Sequence, residues 1–321
     1  MGAGSSVRAA TVARQATVAR QATVACVGIA VLDRIFVVDR LPVGPGKFFA
    51  GEMREVGGGP AASAAVAVAR LGGAASLHAR VGADAAGEAI VAELAARGVD
   101  TAFVRRVEGR RSTVASILVE PGGERLIVTY ADPRMPADPG WLPRERLAGA
   151  GALLVDGRWP EGAAAALGVA AERGLPSVLD ADASPDPEAV RKLASLATHV
   201  VFSEAGLCQA TGIAEPEAAL GAARKLAPGW IAVTLGERGA LSLEAVGMRR
   251  WPAFAVAAVD TVGAGDVFHS ALALALAERR TLAEAMRFAA AAAALKCTRP
   301  GGRAGIPDRA SVEAFLLGRG E

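Results

Sequence analysis

Hydrophobic positions along this chain fall into short unbroken runs separated by alanine-rich stretches of helical period. "VACVGIAVLD", residues 24–33, is apolar up to its last residue, the pattern of a strand buried on both faces of a parallel sheet. After residue 150 the alternation becomes regular: "ALLVDGRW", "PSVLDAD", "HVVFSE" and "WIAVTLG" predict strands, and residues 161–173, 186–197 and 216–226 predict helices between them. Strands and helices in strict alternation imply right-handed βαβ crossovers and a parallel sheet. Earlier, "GGGPAASAAVAVARLGG" predicts a helix opened by a Gly-rich turn and closed by Gly72 and Gly73. "ASLHARVG" predicts a strand and "AGEAIVAELAARG" a helix. A further buried helix runs from Val267, and the C-terminal part is helical.

Two segments depart from this rhythm. Residues 34–56 are short β-prone pieces broken by Pro and Gly, and residues 110–130 form a hairpin pattern with its turn at 121–124. Together they predict a small β lid. The fold class is therefore α/β, a doubly wound and mainly parallel central sheet flanked by helices, with a site expected at the carboxyl ends of its strands. The folded domain is expected over residues 24–321. Residues 1–23 carry "ATVARQ" twice and no acidic residue, and read as a disordered Ala/Arg-rich extension rather than a secretory signal.

Composition narrows the function classes. The chain has 321 residues and is 52% hydrophobic, enough for a large core, but its apolar runs fall short of the roughly 20 residues that a spanning helix needs. A net charge of +2 and 4% aromatic content provide neither a basic stripe nor a stacking surface for nucleic acid. Cys26, Cys208 and Cys297 are far apart and lack nearby histidines, so they read as thiols of a cytoplasmic protein rather than as metal ligands or a disulfide.

The chemistry-bearing stretch is "DTVGAGDVFHSALALAL", residues 260–276. A helix N-terminus offers unpaired N–H groups and the positive end of the helix dipole. Gly263 and Gly265 lack side chains, so the amides of Gly263, Ala264 and Gly265 can approach an anion closely, with Asp266 beside it. The same residues also fit an ordinary helix cap.

This stretch and "VGGGPAASAAVAVARLGG" together resemble the two signatures of the ribokinase-like (PfkB) sugar kinase family, and the resemblance covers residues 24–318. It implies ATP and Mg²⁺ as nucleotide and metal, a backbone anion hole at Gly263, Ala264 and Gly265, and Asp266 as the base that accepts the proton of the attacking sugar hydroxyl. By the same resemblance Asp33, at the end of the first strand, and Gly58 and Gly59 hold sugar hydroxyls. ATP is expected near Thr234, Gly236, Gly239, Gly301 and Gly302, and Asp260 sits where some members bind a monovalent cation such as K⁺. Apolar Val37, Phe48 and Phe49 on the lid suggest a homodimer. Ala62 stands where the family usually has Asn. Its Asn-x-x-Glu falls on Ser203 and Gly206, which leaves Glu204 as the nearest replacement. His269 reads as a buried structural histidine.

Within the family, "DGRW", "FSEAGL" and "ALKCTRPGGRAGIPD" resemble the sulfofructose kinases. That branch phosphorylates the C1 hydroxyl of 6-deoxy-6-sulfofructose and binds its sulfonate at the positions of Lys47, Arg158 and Thr129, the last being Asn in the branch pattern. Another ketose, a ketose 6-phosphate or a deoxy-keto sugar acid remains open as substrate, and so does a sugar or nucleotide sensor without turnover.

Overall fold

The computed structural model describes residues 21–319; the extension predicted over 1–23 lies outside them as far as residue 20. In chain order the strands are β1 (Thr23–Val27), β2 (Val31–Val37), β3 (Glu52–Gly58), β4 (Ala74–Gly82), β5 (Val104–Val107), β6 (Val114–Val119), β7 (Arg125–Tyr130), β8 (Ala152–Asp156), β9 (Ser177–Ala181), β10 (His199–Ser203), β11 (Trp230–Thr234), β12 (Ala240–Glu244) and β13 (Gly247–Trp251). The α-helices are α1 (Pro60–Arg70), α2 (Ala85–Ala96), α3 (Arg144–Ala148), α4 (Pro160–Arg173), α5 (Pro187–Ala194), α6 (Glu204–Thr211), α7 (Pro216–Ala223), α8 (Ala264–Ala277), α9 (Leu282–Cys297) and α10 (Arg309–Leu317).

Nine strands form the central sheet in the order β13-β12-β11-β10-β9-β8-β1-β4-β5. All its pairings are parallel except β11 with β12 and β12 with β13. Strand order reverses at β1, which lies between β4 and β8. In a sheet of this kind that switch point opens a crevice at the carboxyl ends. Alternation along the strands separates two cores. Val24, Cys26, Leu154 and Val178 face α1, α8 and α9, while Ala25, Val27, Leu153, Val155 and Leu179 face α4, α5, α6 and α7. Among the described residues no helix is long and apolar enough to cross a membrane.

The apolar run at 24–33 is not one strand. It breaks after Val27, and Asp33 becomes the third residue of β2 in a separate four-stranded sheet, β3-β2-β6-β7. A physical cause lies at Gly28, where any side chain would collide with the Asp156 carboxylate. That carboxylate accepts hydrogen bonds from the amides of Ile29 (3.0 Å), Ala61 (3.0 Å) and Arg158 (2.8 Å). It thus joins the root of the small sheet, the start of α1 and the loop after β8. The small sheet is the predicted lid, with β2 antiparallel to β3, parallel to β6, and β6 antiparallel to β7. The short helix α6, the strand β5 and the antiparallel pair β12–β13 carry no strong periodic signal and were not expected.

Asp156→Ala is expected to destabilise the fold by about 3 kcal/mol or more, because each buried amide left without an acceptor costs about 1–3 kcal/mol. Asp156→Asn, which keeps one carbonyl acceptor, should cost less. Equilibrium urea denaturation of both variants measures the difference.

Candidate active site

Three carboxylates meet at the carboxyl end of the central sheet. Asp156 and Asp180 are register partners on the adjacent parallel strands β8 and β9. Their parity with Leu154 and Val178 turns both toward α1 and α8. Asp266, the third, is the third residue of α8, in the helix's first turn. Burial pushes the Asp156 carboxyl up to about 6, against the pull of its three amide bonds. Burial also raises Asp180. For Asp266 burial is again the largest cause; the Asp180 charge adds to it, Arg303 partly offsets it, and the group stays well above the ordinary carboxylate range. Asp180 and Asp266 therefore compete for protons as a pair.

The N-terminus of α8 leaves backbone amides unpaired. Gly263, its N-cap, has φ 76°, a left-handed conformation that glycine adopts without strain. Among the described residues no side chain caps this end, and Asp266 makes no hydrogen bond to its own helix amides. The Ala264 amide donates to the Thr261 carbonyl at 3.1 Å. Those of Gly263, Gly265 and Asp266 have no protein acceptor among the described residues. Of the three amides expected to face an anion, Gly263 and Gly265 are unpaired while that of Ala264 is engaged within the turn.

Asp33 faces this site from the lid. Its row across the lid sheet is Val56, Asp33, Ala115 and Thr129, so Thr129 shares its face two strands away, about 10 Å. A side chain at Gly58 would collide with the Asp33 carboxylate, and one at Gly59, φ 90°, with the Ile29 carbonyl. The two glycines make room for the carboxylate and for the root of the lid. Partial burial raises Asp33, and the Arg303 guanidinium works against that shift.

Arg303 is buried and ties the C-terminal loop to the lid root. It donates to the Gly58 carbonyl (2.7 Å), Glu93 Oε2 (2.6 Å) and Ser63 Oγ (3.2 Å). Sequence reasoning missed Asp156, Asp180 and Arg303. The first two had a legible signal, since both are acids near the ends of predicted neighbouring strands. His269 is buried, as expected, with Nδ1 at 3.5 Å from Asp180 Oδ2.

Arg158 follows β8 and donates through Nη2 to the Ala183 carbonyl at 2.8 Å. Lys47 lies in the exposed connection between β2 and β3. No hydrogen bond or ion pair joins Lys47, Thr129 and Arg158 among the described residues. On the nucleotide side, Thr234 ends β11. Gly236 and Gly239 have φ 61° and 84°, and a side chain at Gly239 would strike the Trp251 carbonyl. The amides of Gly301 and Gly302 are occupied, donating to Asp260 Oδ2 at 2.8 and 3.4 Å. These bonds hold the 300–302 loop against Asp260. The same carboxylate lies 3.3 Å from the Lys296 ammonium, so the positive charge beside Asp260 in this structure is a lysine.

Ser203 caps α6, with Oγ accepting from the Gly206 amide at 2.9 Å and donating to Asp182 Oδ1 at 2.6 Å. Gly206 packs so closely on the Ala181 carbonyl that no side chain fits there. Glu204 is paired with Arg238 at 2.5 Å. No group of three or more His, Cys, Asp or Glu able to hold a metal occurs among the described residues. Mg²⁺ commonly keeps several waters and takes one or two carboxylates; were it to arrive on nucleotide phosphates, the Asp182 carboxylate just after β9, which accepts from Ser203, is of the type that would hold it.

A lid carboxylate, a carboxylate of raised proton affinity and unpaired amides at a helix N-terminus thus lie together at a strand switch point of a ribokinase-like fold. The chain belongs to the pfkB family carbohydrate kinases, whose family model matches residues 21–309. It is 30% identical over 290 residues to ribokinase of Bacillus subtilis, covering 89% of this chain and 96% of that one. The structure of a putative ribokinase from Agrobacterium tumefaciens superposes with a TM-score of 0.87 at 40% identity, covering 93% of this chain and 99% of the other. Arabidopsis thaliana ribokinase complexed with ribose and ATP superposes at 0.82, with 26% identity and 92% of this chain covered.

Because the Asp180 charge helps to raise Asp266, kcat/KM is expected to rise with pH through an acidic limb above the ordinary carboxylate range. Asp180→Asn removes that charge and should move the limb to lower pH. A pH–rate profile of the two proteins tests this; coincident limbs would contradict the pairing.

Proposed function

We propose that this chain transfers the γ-phosphoryl group of MgATP to the C1 hydroxyl of 6-deoxy-6-sulfofructose. The observation that carries the chemistry is Asp266, a carboxylate of raised proton affinity placed beside unpaired amides at the head of α8. Asp33 holds sugar hydroxyls from the lid, with Gly58 and Gly59 admitting the sugar beneath it. As the sugar oxygen forms its bond to the γ-phosphorus, the bond to the β,γ-bridging oxygen breaks and ADP leaves. The hydroxyl proton passes to Asp266. The amides at Gly263 and Gly265 take up negative charge on the transferring group. Mg²⁺ supplies further charge neutralisation on the phosphates when bound. Thr234, Gly236 and Gly239 shape the nucleotide side.

The sulfonate assignment is supported by the sequence likeness around "DGRW" and "ALKCTRPGGRAGIPD" and by Arg158. Beyond its bond to Ala183, the Arg158 guanidinium has no protein acceptor among the described residues, and its fork suits a tetrahedral anion. Lys47 meets the same anion from the 38–51 connection and Thr129 offers a hydroxyl from the lid. Ribose is the competing acceptor, favoured by the ribokinases among the relatives and by the open arrangement of Lys47, Thr129 and Arg158. The lid carries exposed Phe48, Phe49, Met53, Leu126, Ile127 and Val128, and we assign this apolar surface to a second copy of the chain.

ADP release with MgATP over sulfofructose, ribose, fructose, fructose 6-phosphate, tagatose 6-phosphate and 2-keto-3-deoxygluconate is expected to rank sulfofructose first. A ribose preference reassigns Arg158 and Lys47 but keeps Asp266, and silence over the panel favours a sensor. Asp266→Asn should lower kcat by about 10²–10⁴, the range for loss of a positioned general base. Arg158→Ala should lower kcat/KM about tenfold or more for sulfofructose and little for fructose, as expected when a charge-assisted hydrogen bond is lost. Light scattering on the eluting peak of a gel-filtration column should give the mass of two chains, and a lone monomer would remove the lid interface.

A further inference from the structure

Lys296 plays no part in the chemistry above, yet its side chain is fully buried. A buried ammonium is costly unless oxygen atoms surround it. Lys296 sits next to the last residue of α9, and its Nζ lies 2.9 Å from the Asp260 carbonyl, 3.3 Å from Asp260 Oδ2 and 3.5 Å from the Arg299 carbonyl. These oxygens belong to two segments, the turn leading into α8 and the loop leaving α9. The carbonyls at the end of a helix add the negative end of its dipole.

The same node fixes the turn through further bonds. The Cys297 carbonyl accepts from the Val259 and Asp260 amides at 2.7 and 3.1 Å. The Asp260 carboxylate accepts from the Val262 amide at 2.9 Å and from the Gly301 amide at 2.8 Å. Burial alone would raise the Asp260 carboxyl, but these amide bonds and the Lys296 ammonium outweigh it and hold the group below its ordinary range. An ionised Asp260 and two carbonyls therefore converge on one point that requires a single positive charge, only three residues before Gly263.

We propose that Lys296 is a positioning residue for phosphoryl transfer: a monovalent cation tethered to the chain, which locks the 260–263 turn and so aims the amides at the head of α8. The proposal rests on the anion-hole reading given above for that turn. On this proposal the ammonium takes the place of the free K⁺ expected at Asp260, since it lies where the oxygens meet. Replacing the ammonium by the shorter apolar tip of methionine leaves an oxygen-lined gap with excess negative charge, which a small free cation can enter.

The test uses the full chain and the best sugar of the panel at constant ionic strength. The unmodified enzyme should turn over equally, within about twofold, in potassium, sodium or tetramethylammonium chloride. Lys296→Met, shown to be folded by circular dichroism and thermal melting, should lose about tenfold or more in kcat with little change in sugar KM, the pattern of a defect confined to the transition state. Potassium or ammonium should restore much of that loss in a saturable way, whereas the larger tetramethylammonium should not. Activation of the unmodified enzyme several-fold by potassium overturns the proposal. So does a Lys296→Met enzyme of undiminished kcat, or one that no small cation rescues. Should Lys296→Met fail to fold, Lys296→Gln, which retains a donor, is assayed in the same way. Asp266→Asn is measured in parallel: if it keeps full turnover, the anion-hole reading fails whatever Lys296 does.

Discussion

Much of this structure depends on keeping like charges close together in a place with little water. Asp156, Asp180 and Asp266 converge where two parallel strands end and a helix begins, and none can leave without dismantling its own element. Backbone amides, Arg303 and the dipole of α8 offset part of their repulsion. The remainder appears as raised proton affinity. A carboxylate held in this way can take a proton from an alcohol more readily than one in water.

Asp156 shows how structure and site share one group. Its three amide partners lie in segments far apart along the chain, with Ile29 separated from it by 127 positions. The same carboxylate that diverts the chain out of the central sheet at Gly28 also seats the start of α1 and the loop bearing Arg158. The lid, the first helix and the loop after β8 thus have a common anchor beside Asp180 and Asp266. Arg303 does the same from the other end of the chain, reaching the lid root at Gly58 and the helix α2 at Glu93.

The sequence carried the class of fold and the head of α8 plainly, because apolar alternation and a Gly-Ala-Gly-Asp turn are local patterns. The predicted helices were found within a few residues, with α5 and α7 ending earlier than expected, at Ala194 and Ala223. Asp33, expected at the end of the first strand, lies instead in β2 of the small sheet. Nothing local in "VACVGIAVLD" reveals that a distant carboxylate excludes side chains at Gly28. Lys296 was invisible for a similar reason. A lysine in an alanine-rich helix looks solvated until the fold brings the carbonyls of Asp260 and Arg299 to it. The occupied amides of Gly301 and Gly302 likewise follow from a partner some 41 residues away.

The two borders of the central sheet have a bearing on how copies of this protein behave in a crowded solution. An open sheet ends in strands with unpaired backbone groups, which can template pairing with another chain. Here β5 reads Val-Arg-Arg-Val and β13 reads Gly-Met-Arg-Arg-Trp, so each border carries adjacent arginines. Bringing two such borders together would set guanidinium rows against one another. The large sheet is thereby protected from strand-to-strand growth, and only the small sheet, whose border β7 reads Arg-Leu-Ile-Val-Thr-Tyr, keeps a sticky flank.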